Sequence, residues 1–130
     1  MSLISITRKE GLKFAVQVRN HEIDCDMSEE DGGLDQGPSP SEFLVGSLGA
    51  CIAMMVQRYC DRHDYNDGEV SVSMTYELAE DPKRISAITV DLEIPQDVPE
   101  DKYPVVKRIA EACPIHGTLV KSPEIDLEIV

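Results

Sequence analysis

Two of the four cysteines lie where their neighbours could support thiol chemistry. Cys51 falls within an apolar, helix-like stretch, and Cys113 stands directly before Pro114 at the end of another helix-like run. The two are 62 residues apart, in a chain whose opening residues show no secretion-type leader. Such a pair points to redox chemistry rather than to a structural staple. No Cys-x-x-Cys spacing occurs, which weakens both a structural zinc site and a thioredoxin-type motif.

Each thiol has two readings. On an ideal helix Leu44, Leu48, Cys51, Met55 and Arg58 share one face, so Cys51 is either a small core hydrophobe or a nucleophile seated among apolar neighbours. The residue before a proline is pushed out of the helical region, so a helix must stop at Cys113. Pro114 can then open a new turn, leaving Cys113 at an N-terminal end whose unpaired N–H groups favour a thiolate. The alternative is that Cys113 fills a bend. Cys25, between two aspartates, and Cys60, near the end of the long helix, have no comparable setting. His21, His63 and His116 show no ligand spacing, so neither metal nor cofactor is expected. A Cys113–His116 pair is the one conceivable Cys–His arrangement.

The elements that must hold these residues can be read from periodicity and turn signals. Ile4–Arg8, Phe14–Arg19 and His21–Asp26 alternate as three strands of an antiparallel meander, with turns at Glu10-Gly11 and Asn20. Residues 28–41 are dense in Gly and Pro and form a long loop, either functional or a plain connector. Ser39, Pro40 and Glu42 match a capping box that starts a long helix. Gly46 and Gly49 within it allow another backbone to pack close. Strands follow over 70–78 and 85–94, turning at Asp81-Pro82; then come a helix over 101–112 and a closing strand over 124–130.

The 130 residues suit one domain spanning 1–130, and two Phe, four Tyr and no Trp leave it few large core anchors. Sharing a core between two chains would offset that shortage, so a homo-oligomer is expected. A net charge of −13 argues against nucleic acid and anionic membrane surfaces as partners. The longest nearly apolar stretch, residues 43–56, is shorter than the roughly 20 residues a membrane span needs. A cytoplasmic setting, where the thiols rest reduced, is expected.

The string from Gly37-Pro38-Ser39-Pro40-Ser41-Glu42-Phe43-Leu44 into Leu48-Gly49-Ala50-Cys51, together with Cys113-Pro114-Ile115-His116, resembles the OsmC/Ohr family of osmotically inducible and organic hydroperoxide resistance proteins. The resemblance covers essentially the whole chain. It implies an α+β fold in the order β(3)-α-β(2)-α-β, with a long central helix, and an intertwined homodimer with two active sites at the subunit interface. It implies thiol-dependent, peroxiredoxin-like reduction of organic hydroperoxides, with Cys51 as peroxidatic thiol, Cys113 as resolving thiol, and an external dithiol or lipoyl-type group as reductant. The family's active-site arginine corresponds best to Arg19, with Arg58 and Arg62 as rivals, and its glutamate corresponds to Glu42. Arg19 would hold the leaving oxygen and the thiolate, and Glu42 would fix the guanidinium by a bidentate pair. Glu42 precedes Cys51 by nine residues, which on an ideal helix places them on opposite faces. A redox sensor or binding module on the same fold, without sustained turnover, is the alternative.

Overall fold

The computed structural model describes residues 3–130, as two compact units that meet in sequence between Val45 and Gly46.

In the first unit, β1 (Ile4–Glu10), β2 (Lys13–Val18) and β3 (His21–Cys25) form an antiparallel sheet in sequential order. Each hairpin turns on two residues because its leading residue adopts a left-handed backbone. Gly11 has φ +56° and Arg19 has φ +53°, the twist that two-residue hairpins favour. Arg19 is therefore a turn residue rather than a strand residue. Ile4, Ile6, Val16, Val18 and Ile23 share one face by register. Ile4 and Ile6 remain 55% and 57% exposed.

The loop after β3 is not loose. Asp26 is buried, and its carboxylate accepts the amides of Met27 at 2.8 Å and of Leu34 and Gln36 at 3.2 Å. Its own N–H donates to the Pro38 carbonyl at 3.1 Å. One side chain thus satisfies backbone groups that a Gly- and Pro-rich segment cannot pair with itself. Gly33 and Gly37 lie against the backbone carbonyls of Met27 and Asp24, where a Cβ has no room.

The long helix α1 (Pro40–Arg62) starts in the first unit and continues in the second. Its start is the expected capping box: the Ser39 amide donates to Glu42 Oε1 at 2.9 Å, and the Glu42 amide donates to Ser39 Oγ at 3.2 Å. At 23 residues α1 is long and apolar enough to cross a membrane by length and composition alone, exceeding the 14-residue apolar stretch read from sequence. Its face in the second unit lies in a folded core, as the sequence reading anticipated.

In the second unit, β4 (Ser71–Ala79) and β5 (Arg84–Glu93) form an antiparallel hairpin. A 3₁₀ turn at Glu100–Lys102 leads into α2 (Tyr103–Glu111), and α3 (Pro114–Val120) follows. Leu48, Ile52, Val56, Tyr59 and Cys60 of α1 cluster with Val98, Val106 and Cys113. Val72 and Met74 of β4 and Ile88, Val90 and Leu92 of β5 pack against that cluster. Gly49 sits against the Met74 thioether and Val72, so its missing side chain does set a close approach, to side chains rather than to backbone. Gly46 meets nothing within 4 Å. His63 does not trail free: its ring lies 4.5 Å from Tyr59 and stacks on Tyr65 at 5.6 Å.

The segment expected to close the chain as a strand behaves differently. Residues 122–130 form no ladder among the described residues and are exposed throughout. The alternation is present, with Ile125, Leu127 and Ile129 at 83%, 81% and 97% exposed. A strand also needs an edge to pair with, and no edge of this chain takes it.

Candidate functional site

Cys51 sits at the margin of the core. The buried stripe of α1 runs through Leu48, Ile52, Val56 and Tyr59, about one residue around the helix from the face read in the sequence. Leu44 is accordingly 41% exposed, Arg58 is exposed, and Cys51 is half-buried. The packing of Leu48 and Ile52 holds the Cys51 backbone while leaving its sulfur at the rim. A thiol that must meet a substrate needs this position, and a purely structural cysteine does not.

Cys113 is only 1% exposed, and its backbone is extended at φ −65° and ψ 141°. It is the N-cap of α3, with Pro114 in the first turn, as the proline rule requires. Its sulfur accepts the His116 amide at 3.2 Å. This backbone amide, not the imidazole, is the contact that His116 makes with the thiol. Cys51 packs against the buried cluster to which Cys113 belongs, close enough for its side chain to act on the Cys113 proton. All four cysteines are free.

Burial pushes the Cys113 thiol above its ordinary 9.0, and the hydrogen bond and charge of Cys51 push it the same way. The amides of His116 and Ile115 pull against this and lose. Cys113 is thus held as the thiol rather than the thiolate. Cys60 is fully buried rather than near an exposed end, and burial raises its pKa, with Asp61 and Asp97 adding to the effect. It has no route to solvent and no second thiol partner among the described contacts.

Glu42 is exposed, and Ser39, through its amide and its hydroxyl, holds the carboxyl below its ordinary 4.5. Among the described residues the ion pairs are those of Lys9 with Glu22 and Asp24, so Glu42 pairs with the capping residue and not with an arginine. Arg19 is exposed at the β2–β3 turn in the first unit, whereas Cys51 and Cys113 belong to the second. Arg58 and Arg62 lie about 10 and 16 Å along the helix axis from Cys51. Among the described residues no group of three His, Cys, Asp or Glu side chains is placed to hold a metal ion.

Asp26 escaped sequence reasoning. The signal available was a carboxylate at the junction of a strand and a Gly- and Pro-rich segment. Asp97 repeats the device, accepting the Asn66 and Asp67 amides at 3.1 Å each.

A family model for OsmC-like proteins matches residues 32–128. No match is found among curated protein sequences. Solved structures resemble the chain along most of its length. A protein from Psychrobacter arcticus 273-4, named for osmotic stress induction and detoxification response, superposes with a TM-score of 0.82 at 20% identity, covering 91% of this chain and 88% of its own. An OsmC-like protein from Mycoplasma pneumoniae gives 0.77 at 16% identity, with 94% and 89% covered. An organic hydroperoxide resistance protein from Legionella pneumophila gives 0.71 at 15% identity, with 93% and 90% covered. At these identities the likeness is one of fold.

Proposed function

Since this chain belongs to the OsmC-like family, we propose that it is a thiol-dependent peroxidase that reduces organic hydroperoxides, with Cys51 as nucleophile and Cys113 as resolving thiol. The observation that carries this reading is that the half-buried Cys51 packs against the same core cluster as the buried Cys113, although 62 residues separate them in sequence. The naming of a structural relative for organic hydroperoxide resistance supports the substrate class.

The steps follow from thiol chemistry. The Cys51 thiolate attacks the terminal oxygen of the hydroperoxide, the O–O bond breaks, and the alkoxide leaves as an alcohol after taking a proton. Cys51 is then a sulfenic acid. The Cys113 sulfur displaces its hydroxyl, giving water and a Cys51–Cys113 disulfide. An external dithiol, such as a lipoyl group, restores both thiols by exchange. By the family resemblance, the cation for the thiolate and the leaving oxygen is assigned to Arg19 and the carboxylate that orients it to Glu42.

The working unit is a homodimer in a reducing cytoplasm. The bare apolar faces of Ile4 and Ile6, and the unpaired alternation of Ile125, Leu127 and Ile129, are what a second chain would cover. The alternative, a sensor oxidised once without turnover, is favoured by the exposed turn position of Arg19. Consumption of an alkyl hydroperoxide under excess dithiol separates the two. Multiple turnovers, lost in Cys51→Ser, support the peroxidase; a single stoichiometric oxidation supports the sensor.

A further inference from the structure

The Cys113 sulfur is held by amides of its own helix, and bonding it to Cys51 draws it away from them. In the reduced chain Sγ accepts the His116 amide at 3.2 Å and so serves as the N-cap of α3. The third amide of a short helix has no intrahelical acceptor, and the cap supplies one. Cys51 packs against the core cluster to which Cys113 belongs. Joining the two sulfurs requires them to close to about 2.05 Å with a fixed torsion about the new bond. Bonding to Cys51 turns the sulfur toward α1, and since sulfur is a weak acceptor in any case, the cap depends on its position.

Little else holds α3. It is seven residues long and none of its residues is fully buried. Leu119 and Val120 are 40% and 73% exposed, and everything after them is exposed. At its N-terminal end α3 is also held by the Gly117 amide on the Cys113 carbonyl at 3.1 Å, by Thr118 Oγ1 donating to the Pro114 carbonyl at 2.8 Å, and by the half-buried Ile115. Short isolated helices are marginal in water, so a lost cap weighs heavily here.

We propose that Cys113 is a redox-controlled helix cap: forming the Cys51–Cys113 disulfide withdraws its sulfur from the His116 amide and frees α3 together with the segment that follows. The oxidation state of the buried pair is thereby reported at the surface by Leu119, Val120 and the exposed C-terminal residues. The inference rests on the proposed Cys51–Cys113 couple. The bond forms as in the peroxidase cycle, with an organic hydroperoxide as oxidant and with the alcohol and water as the other products. Reduction by a dithiol returns the cap.

Native-state amide exchange on the full-length protein tests this, comparing the dithiol-reduced chain with the chain oxidised by an alkyl hydroperoxide and, in parallel, by diamide. Peptide mapping first establishes whether the Cys51–Cys113 bond is present in each sample. The expected result is exchange at His116–Val120 about fivefold faster or more in the disulfide form, with α2 unchanged. Reduced Cys113→Ala should match that fast pattern, and Cys113→Ser, which keeps an acceptor but cannot form the bond, should stay protected after oxidant. A disulfide made by hydroperoxide but no change in α3 overturns the cap switch and leaves the peroxidase reading intact. A bond made by diamide alone removes the peroxidase reading, while α3 exchange still decides the switch. Unchanged α3 exchange in reduced Cys113→Ala overturns the switch irrespective of the chemistry, as does failure of both oxidants to form the bond.

Discussion

Cys51 packs against the buried cluster that contains Cys113, because the α2–α3 junction and the middle of α1 share one apolar core. Val106 and Cys113 on one side, and Leu48 and Ile52 on the other, belong to the same buried cluster. Neither cysteine reaches the other through local chain geometry.

The Cys51 side chain acts on the Cys113 proton, which gives the first prediction. Burial comes first in raising the Cys113 pKa, and the bond and charge of Cys51 add to it. Replacing Cys51 by alanine removes only the second influence. The pH midpoint for alkylation of Cys113 should therefore move down in Cys51→Ala. An unchanged midpoint would mean that the thiols are not coupled.

The roles of the two cysteines should differ in their products. Cys51→Ser should lose hydroperoxide consumption to the level of free thiols in solution. Cys113→Ser should still be oxidised at Cys51, but with no resolving thiol the sulfenic acid proceeds to sulfinic and sulfonic acids under excess peroxide. Intact-mass measurement reads both outcomes.

Asp26 predicts an acid sensitivity confined to the loop. Burial raises its pKa, but the amides of Met27, Gln36 and Leu34, with Lys13 nearby, outweigh burial, and the carboxyl sits below 3.8. A depressed folded pKa contributes stability that is complete above the unfolded value and is lost as pH falls through the folded one. Protection of the Leu34 and Gln36 amides should thus weaken below about pH 4. In Asp26→Asn it should be weak at every pH, with the acid-dependent step absent.

Glycines that look alike in sequence should respond differently to a methyl group. At Gly37 an added Cβ meets the Asp24 carbonyl, and at Gly33 the Met27 carbonyl, both backbone atoms that cannot swing aside. Alanine there should cost about 1–3 kcal/mol. At Gly49 the obstacle is the Met74 thioether, a flexible group that can turn. Alanine also gains roughly 1 kcal/mol of helix propensity, so Gly49→Ala should fall within about 1 kcal/mol of the parent. Urea denaturation of the three variants checks the order.

Association should depend on the C-terminal residues. With Ile125, Leu127 and Ile129 bare in a single chain, removing residues 123–130 should weaken the dimer. Sedimentation should show the parent at twice 14.4 kDa and the truncated chain shifting toward one chain's mass. Identical behaviour of both would remove the tail from the interface.

Local rules written in consecutive residues were legible without any structure. Ser39 and Glu42 make a capping box because the partners stand three apart and the helix itself brings them together. Cys113 ends one helix and caps the next because Pro114 forbids anything else. The alternating segments became β1–β5 because a strand's period is intrinsic to its backbone. The contacts that define the site are of another kind. Which face of α1 is buried, and hence that Cys51 stands at the rim, was decided by β4, β5 and α2 arriving on the Ile52–Val56 side. The fate of residues 122–130 was decided by the lack of an available edge, although their pattern is as regular as that of β4. Asp26 became a loop staple only once the chain folded back to bring amides eight and ten residues away onto its carboxylate. Backbone propensities act over a few residues and can be read along the chain; burial and carboxylate satisfaction depend on what the rest of the chain brings near, and only the folded structure supplies that.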